Sequence, residues 1–173
     1  MDNYEYYYES ESTGIEEISS YTISGIRYGE QDNFKISNDS FYVQNNIIYS
    51  TDGSQDITDI VPIDLLMLRP TKIYEFIKGS TNANKIEYQN GEIKITYTVP
   101  VSIFNIAFLQ TIDENNSETV EIITYEKDNQ IYQIDLDIYN LMKLVDASYE
   151  SYTIRITYTN INNIKKVEEL SVE

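Results

Sequence analysis

The sequence predicts a mainly β (α+β) fold: a strongly curved antiparallel sheet, or half-barrel, with short helices capping its concave face. Three observations predict it. Apolar and polar residues alternate over segments of strand length, as at Ile93, Ile95, Tyr97 and Val99. Tight-turn residues join such segments, above all Asn90-Gly91. Only two short stretches carry a helical period, too little to cover a long sheet on both faces. The economical solution is a sheet that curls around them.

Taken in order, residues 1–14 show no useful period and read as a flexible acidic tether, leaving 15–173 as one domain. Ile15-Glu16-Glu17-Ile18 is at most one helical turn. From Ser20 a strand begins, with a bend expected at Gly25. Gln31-Asp32-Asn33 reads as a turn before Phe34-Lys35-Ile36. Phe41-Tyr42-Val43 and Ile47-Ile48-Tyr49 flank Gln44-Asn45-Asn46, a tight hairpin because Asn tolerates the left-handed region. Thr51 to Thr58 is a polar loop.

Pro62 then leads Ile63, Leu65, Leu66, Met67 and Leu68, a dense apolar patch. Pro70 interrupts it and starts a helix to Lys78, because proline is favoured in a first helical turn and Gly79 suits the stop. Strands resume at Ile86 and Tyr88, cross Asn90-Gly91, and continue to Val99, with Pro100 marking a bulge or an edge. Val101 to Leu109 is nearly all apolar and reads as a strand covered on both faces. After a turn at Asp113 to Ser117, Val120–Tyr125 and Ile131–Leu136 form a hairpin around Lys127-Asp128-Asn129. Asp137 is placed to cap a helix carrying Ile138, Leu141, Met142 and Val145 as one stripe. The last strand is Tyr152 to Tyr158, and Asn160 to Glu173 is a turn with a short strand or tail.

Composition excludes more functions than it selects. The chain has 173 residues, enough for one domain that hides roughly 70% of its unfolded surface. Asp plus Glu number 29 against 12 Lys plus Arg, a net charge of −17. That charge opposes phosphate backbones, whose binding needs cations, and anionic membrane surfaces for the same reason. There is no Cys and no His, so thiol, imidazole and nitrogen–sulfur metal chemistry are absent. The 27 Ile, 16 Asn and 17 Tyr follow AT-rich codons, pointing to a low-GC bacterium or its phage. No apolar run of about 18 residues crosses a membrane as a helix. The start Met1-Asp2-Asn3-Tyr4-Glu5 lacks a signal peptide's basic and apolar regions. It is read as following a removed anchor segment, which makes the protein extracytoplasmic; the other reading is cytoplasmic.

The hairpin Asn38-Asp39-Ser40-Phe41-Tyr42-Val43 with Asn45-Asn46-Ile47-Ile48-Tyr49, the lid Pro62-Ile63-Asp64-Leu65-Leu66, the Asn90-Gly91 hairpin and the Asp137-capped segment come in a telling order. That order resembles the lipoprotein-carrier (LolA-like) superfamily over residues 20–160. The resemblance implies a curved half-barrel closed by helices over an apolar concave face. It extends loosely to clostridial spore lipoproteins of this shape, implied to act through a protein partner.

No glycine loop for phosphates, dinucleotide fingerprint or nucleophile motif is present, so the protein reads as not an enzyme. No cofactor is implied. Asp52, Asp56 and Asp59 around Gly53, and Asp135 with Asp137, lack calcium-loop spacing and read as solvated acidic turns. The cavity candidates are Leu65, Leu66, Leu68, Phe76, Ile77, Phe104, Ile106, Phe108, Leu141 and Met142. The same residues serve equally to fill a core. The leading reading is an exported, lipid-anchored protein that docks a protein partner at the cell envelope, with a second copy as one partner through a sheet edge. The alternatives are a lipid or acyl-chain carrier, and a cytosolic acidic inhibitor that mimics nucleic acid.

Overall fold

The computed structural model describes residues 3–15, 18–36, 38–44, 47–56, 70–104, 112–113 and 115–163. Eleven strands form one sheet, each hydrogen-bonded antiparallel to its neighbours. They are β1 (Asn3–Gly14), β2 (Ile18–Tyr28), β3 (Gln31–Ile36), β4 (Asp39–Gln44), β5 (Ile47–Ser50) and β6 (Gly53–Asp56), then β7 (Asn82–Glu87), β8 (Ile93–Pro100), β9 (Thr119–Lys127), β10 (Gln130–Asp137) and β11 (Tyr149–Thr159). The order across the sheet is β6-β5-β4-β3-β2-β1-β11-β10-β9-β8-β7. Among the described strands the two ends of the sheet do not join, so it is an open half-barrel. Helix α1 (Pro70–Lys78) lies against β8, and α2 (Tyr139–Val145) against β9 and β11. Neither helix is long and apolar enough to cross a membrane.

The expected tether is instead the middle of the sheet. Residues 3–14 pair with β2 on one side and β11 on the other. Tyr4, Tyr6, Tyr8 and Ser10 point inward and are buried, while Glu5, Tyr7, Glu9 and Glu11 point outward. The period of two was there, but a tyrosine at both Tyr7 and Tyr8 hid it.

Other expectations shift for similar local reasons. β2 pairs β1 and β3 in unbroken register through Gly25, so no bulge marks the expected bend. The glycine's hydrogen leaves room for the Tyr6 ring, since a Cβ there would sit 2.4 Å from that ring and 2.8 Å from Phe34 Cβ. The turn falls at Gly29-Glu30, with Gly29 at φ +59°, so Gln31-Asp32-Asn33 belongs to β3. The polar loop after Thr51 holds the edge strand β6. Val101–Phe104 forms a 3-10 turn rather than a strand, and the rest of that run, 105–111, lies outside the described residues.

Much of the pattern reading matches. Helix α1 starts at Pro70 and ends before Gly79. Asp128 and Asn129 both take positive φ (51° and 65°), the two-residue turn a right-twisted hairpin requires. Asp137 Oδ1 accepts a hydrogen bond from the Tyr139 amide at 3.2 Å, although Ile138 occupies the capping position itself. Ile138 and Leu141 are buried, whereas Val145 at the stripe's end is exposed.

Candidate functional site

The concave face is best read as rows of side chains crossing the strands. At one end Val43, Asp32, Arg27 and Tyr4 stand side by side. The next row holds Phe41, Phe34, Gly25, Tyr6 and Tyr158, and the next Ile36, Ile23, Tyr8, Ile156 and Ile134. These rows are packed shut. Tyr4 meets Tyr158 edge-on with ring centroids 5.2 Å apart, and Phe34 stacks on Phe41 at 5.2 Å. From the helical side α1 adds Ile73, Phe76 and Ile77 to the same core, and Phe76 stacks on Phe104 at 4.4 Å.

A charged network lies within this packing. Arg27 Nη1 donates to Asp32 Oδ2 at 2.9 Å, and the Tyr6 hydroxyl donates to Asp32 Oδ1 at 2.8 Å. Both charged side chains are 9% exposed. Burial first, and then the Asp32 carboxylate, push the Tyr6 phenol well above its ordinary range. Burial does the same to Tyr158, whose hydroxyl has no hydrogen-bond partner among the described residues.

Further along the strands the wall recedes. The inward residues of β1 change from Tyr4, Tyr6 and Tyr8 to Ser10 and Ser12. Ser10 stands between Tyr21 and Ile154, and Ser12 between Ser19 and Tyr152. Small side chains on the central strand, with Tyr21 and Tyr152 to either side, leave an open cleft of about 580 Å³ lined by Ser12, Gly14, Ile15, Ser19, Tyr21, Asp146, Ser148, Tyr149 and Tyr152. That volume is in the range of small-molecule sites. Tyr21 and Tyr152 also pack on the core, so the cleft continues the apolar interior. The Tyr8 and Tyr21 hydroxyls meet at 3.3 Å where the two join. Tyr149 and Tyr152 stand nearly perpendicular, centroids 5.5 Å apart. Asp146 Oδ1 accepts from the Ser148 amide at 2.8 Å, and this bond holds its carboxyl below the usual range, so the rim carries a negative charge.

The convex face has another character. A cleft of about 660 Å³ there is lined by Glu9, Glu11, Glu121, Asp135 and Asp137 among others. These carboxylates are spread along the sequence, yet neighbouring strands gather them on one side. Arg155 stands among them and donates to both oxygens of Asp135, at 2.8 and 3.1 Å. Among the described residues no three acidic groups converge as a metal site.

Of the cavity candidates, Phe76, Ile77, Phe104 and Leu141 are part of the packed core, and Met142 is half-buried against it. Leu65, Leu66, Leu68, Ile106 and Phe108 lie outside the described residues, as does Asp59. The cleft residues Tyr21, Tyr149 and Tyr152 were not among the candidates. The tyrosine-to-serine change along β1 was the signal for them, legible only once residues 3–14 are read as a strand.

No protein-family model and no curated protein sequence matches the chain. Solved structures do resemble it, two of them as follows. The crystal structure of LprF from Mycobacterium bovis matches with a TM-score of 0.49 and 11% identity, over 92% of this chain and 85% of that one. The LolA superfamily protein NE2245 from Nitrosomonas europaea matches with a TM-score of 0.33 and 7% identity, over 91% and 84%. The second bears the name of the superfamily that the order of elements resembles. The likeness is one of fold, and the functional reading rests on the cleft.

Proposed function

We propose that the protein is a non-enzymatic, extracytoplasmic binding protein that shelters the apolar chain of an amphiphile on the concave side of its half-barrel. One observation carries the reading. The inward side of β1 turns from tyrosine to serine, so the same wall that is closed at Tyr4, Tyr6, Tyr8 and the buried Ser10 opens at Ser12 into an aromatic cleft. Such a site offers an apolar body for a chain and hydroxyls at the rim for a polar end.

Filling the cleft tests this. A fluorescent fatty-acyl probe should bind the purified, delipidated protein saturably with one site. Ser12→Phe should abolish binding, because the new ring occupies the space Ser12 leaves between Ser19 and Tyr152. Saturable binding that Ser12→Phe leaves unchanged would place the ligand elsewhere and refute the assignment. Docking of a protein strand finds less support. Edge strand β7 is exposed along its whole length, but it carries Lys85 and Glu87, paired at 3.6 Å. Edge charges of this kind discourage strand addition.

A further inference from the structure

The rim of the cleft selects among amphiphiles. Resting on the binding role above, we propose that the polar end it takes is a quaternary ammonium group. The cleft is lined by three aromatic side chains, Tyr21, Tyr149 and Tyr152, all half-buried, and by one charge, the carboxylate of Asp146. No cation lines it among the described residues.

Aromatic rings carry negative faces and attract cations that are poorly hydrated; quaternary ammonium groups are held in this way by rings set at angles to one another. Tyr149 and Tyr152 form such a corner, with 74° between their planes. Tyr21 closes the opposite side. Tyr21, on β2, pairs with Ser10, and Tyr152, on β11, pairs with Ser12, so the two strands stand about 10 Å apart on either side of β1. The proposed ammonium group sits between them, where a cation is attracted once it comes within about 6 Å of a ring centroid. Asp146, on the turn from α2 into β11, supplies the counter-charge. The field of a chain with net charge −17 draws cations toward it and repels anionic headgroups.

Calorimetry with three amphiphiles of equal chain length tests the selection: decyltrimethylammonium, decyl maltoside and decanoate, each below its micelle threshold and at high salt to screen the general field. Decyltrimethylammonium should bind about tenfold more tightly than the maltoside, and decanoate most weakly. Tyr149→Leu and Tyr152→Leu keep the apolar bulk and should remove that preference while maltoside binding persists. Asp146→Asn, at an exposed position that leaves the fold intact, should reduce the preference severalfold. Choline alone should bind far more weakly than the amphiphile; choline binding as tightly would make the ligand a free small molecule and overturn the proposal. Equal binding of all three amphiphiles would overturn the ammonium selection and leave the binding role standing. Binding of none would remove both.

Discussion

Replacing Asp32 by Ala should be among the most damaging single changes on the concave face. Among the described residues the carboxylate holds the Arg27 guanidinium at 2.9 Å and the Tyr6 hydroxyl at 2.8 Å, and both charged side chains are 9% exposed. Water cannot replace it freely at that depth. Removing one member of a buried ion pair costs about 3–5 kcal/mol, because the remaining charge is left uncompensated. Stranding a buried hydroxyl costs about 1–3 kcal/mol more where nothing else reaches it. The sum is a large share of the roughly 5–15 kcal/mol that keeps a domain folded. In urea unfolding, the midpoint should fall by about 2 M with an unchanged slope. The reasoning has a second arm. Exchanging all three groups for apolar ones, as in Tyr6→Phe, Arg27→Met and Asp32→Leu together, should return most of the stability, since a buried pair contributes little beyond an apolar replacement of similar volume. A midpoint shift for Asp32→Ala below about 0.5 M would show that water already solvates the pair. A triple variant no more stable than Asp32→Ala would show that the network does something packing cannot.

Three further outcomes follow from the same face. Gly25→Ala should destabilise by about 1–3 kcal/mol, since the added methyl meets the Tyr6 ring at 2.4 Å, and Tyr6→Leu in the same chain should recover part of that loss in thermal unfolding. Stability should fall at alkaline pH. The Tyr6 and Tyr158 phenols are raised in the folded state, so their contribution is complete below the unfolded tyrosine value of about 10 and is lost as pH rises through the folded values. Ultraviolet titration should show these two phenols ionising only together with unfolding; early, reversible ionisation of every tyrosine would refute it. Tyr158→Phe should be neutral or stabilising by up to about 1 kcal/mol, because it deletes a buried hydroxyl that has no partner among the described residues.

Elements whose signal is local were legible in the sequence. Pro70 and Gly79 bracket α1, Asn90-Gly91 and Asp128-Asn129 make their hairpins, and alternation marks β8 to β11. What failed depended on partners far along the chain. Tyr4, Tyr6 and Tyr8 qualify as core residues only because β2 and β11 flank them, and tyrosine alone does not say which way it faces. Gly25 read as a bend because nothing local showed that Tyr6 needed the space. The site suffered most. Ser10 and Ser12 look like ordinary polar residues until they are set between Tyr21 and Tyr152, and shape, not composition, makes a cleft. The carboxylates also looked dispersed, although Glu9, Glu121 and Asp135 line one cleft once their strands are side by side.

Placing the first strand at the centre has a kinetic consequence. Thr159 and Glu5, 154 residues apart in the chain, bond across the β1–β11 seam. While the polypeptide is being made, β1 can zip onto β2 early, but its other margin stays open until β11 emerges. Closing so large a loop is slow, and the unfinished margin is a row of idle donors and acceptors available to any passing strand. The nascent molecule is therefore most vulnerable to self-association in the interval before its final hairpin arrives. A factor that holds the chain extended through that interval would raise the yield of folded protein more than any change to the finished core.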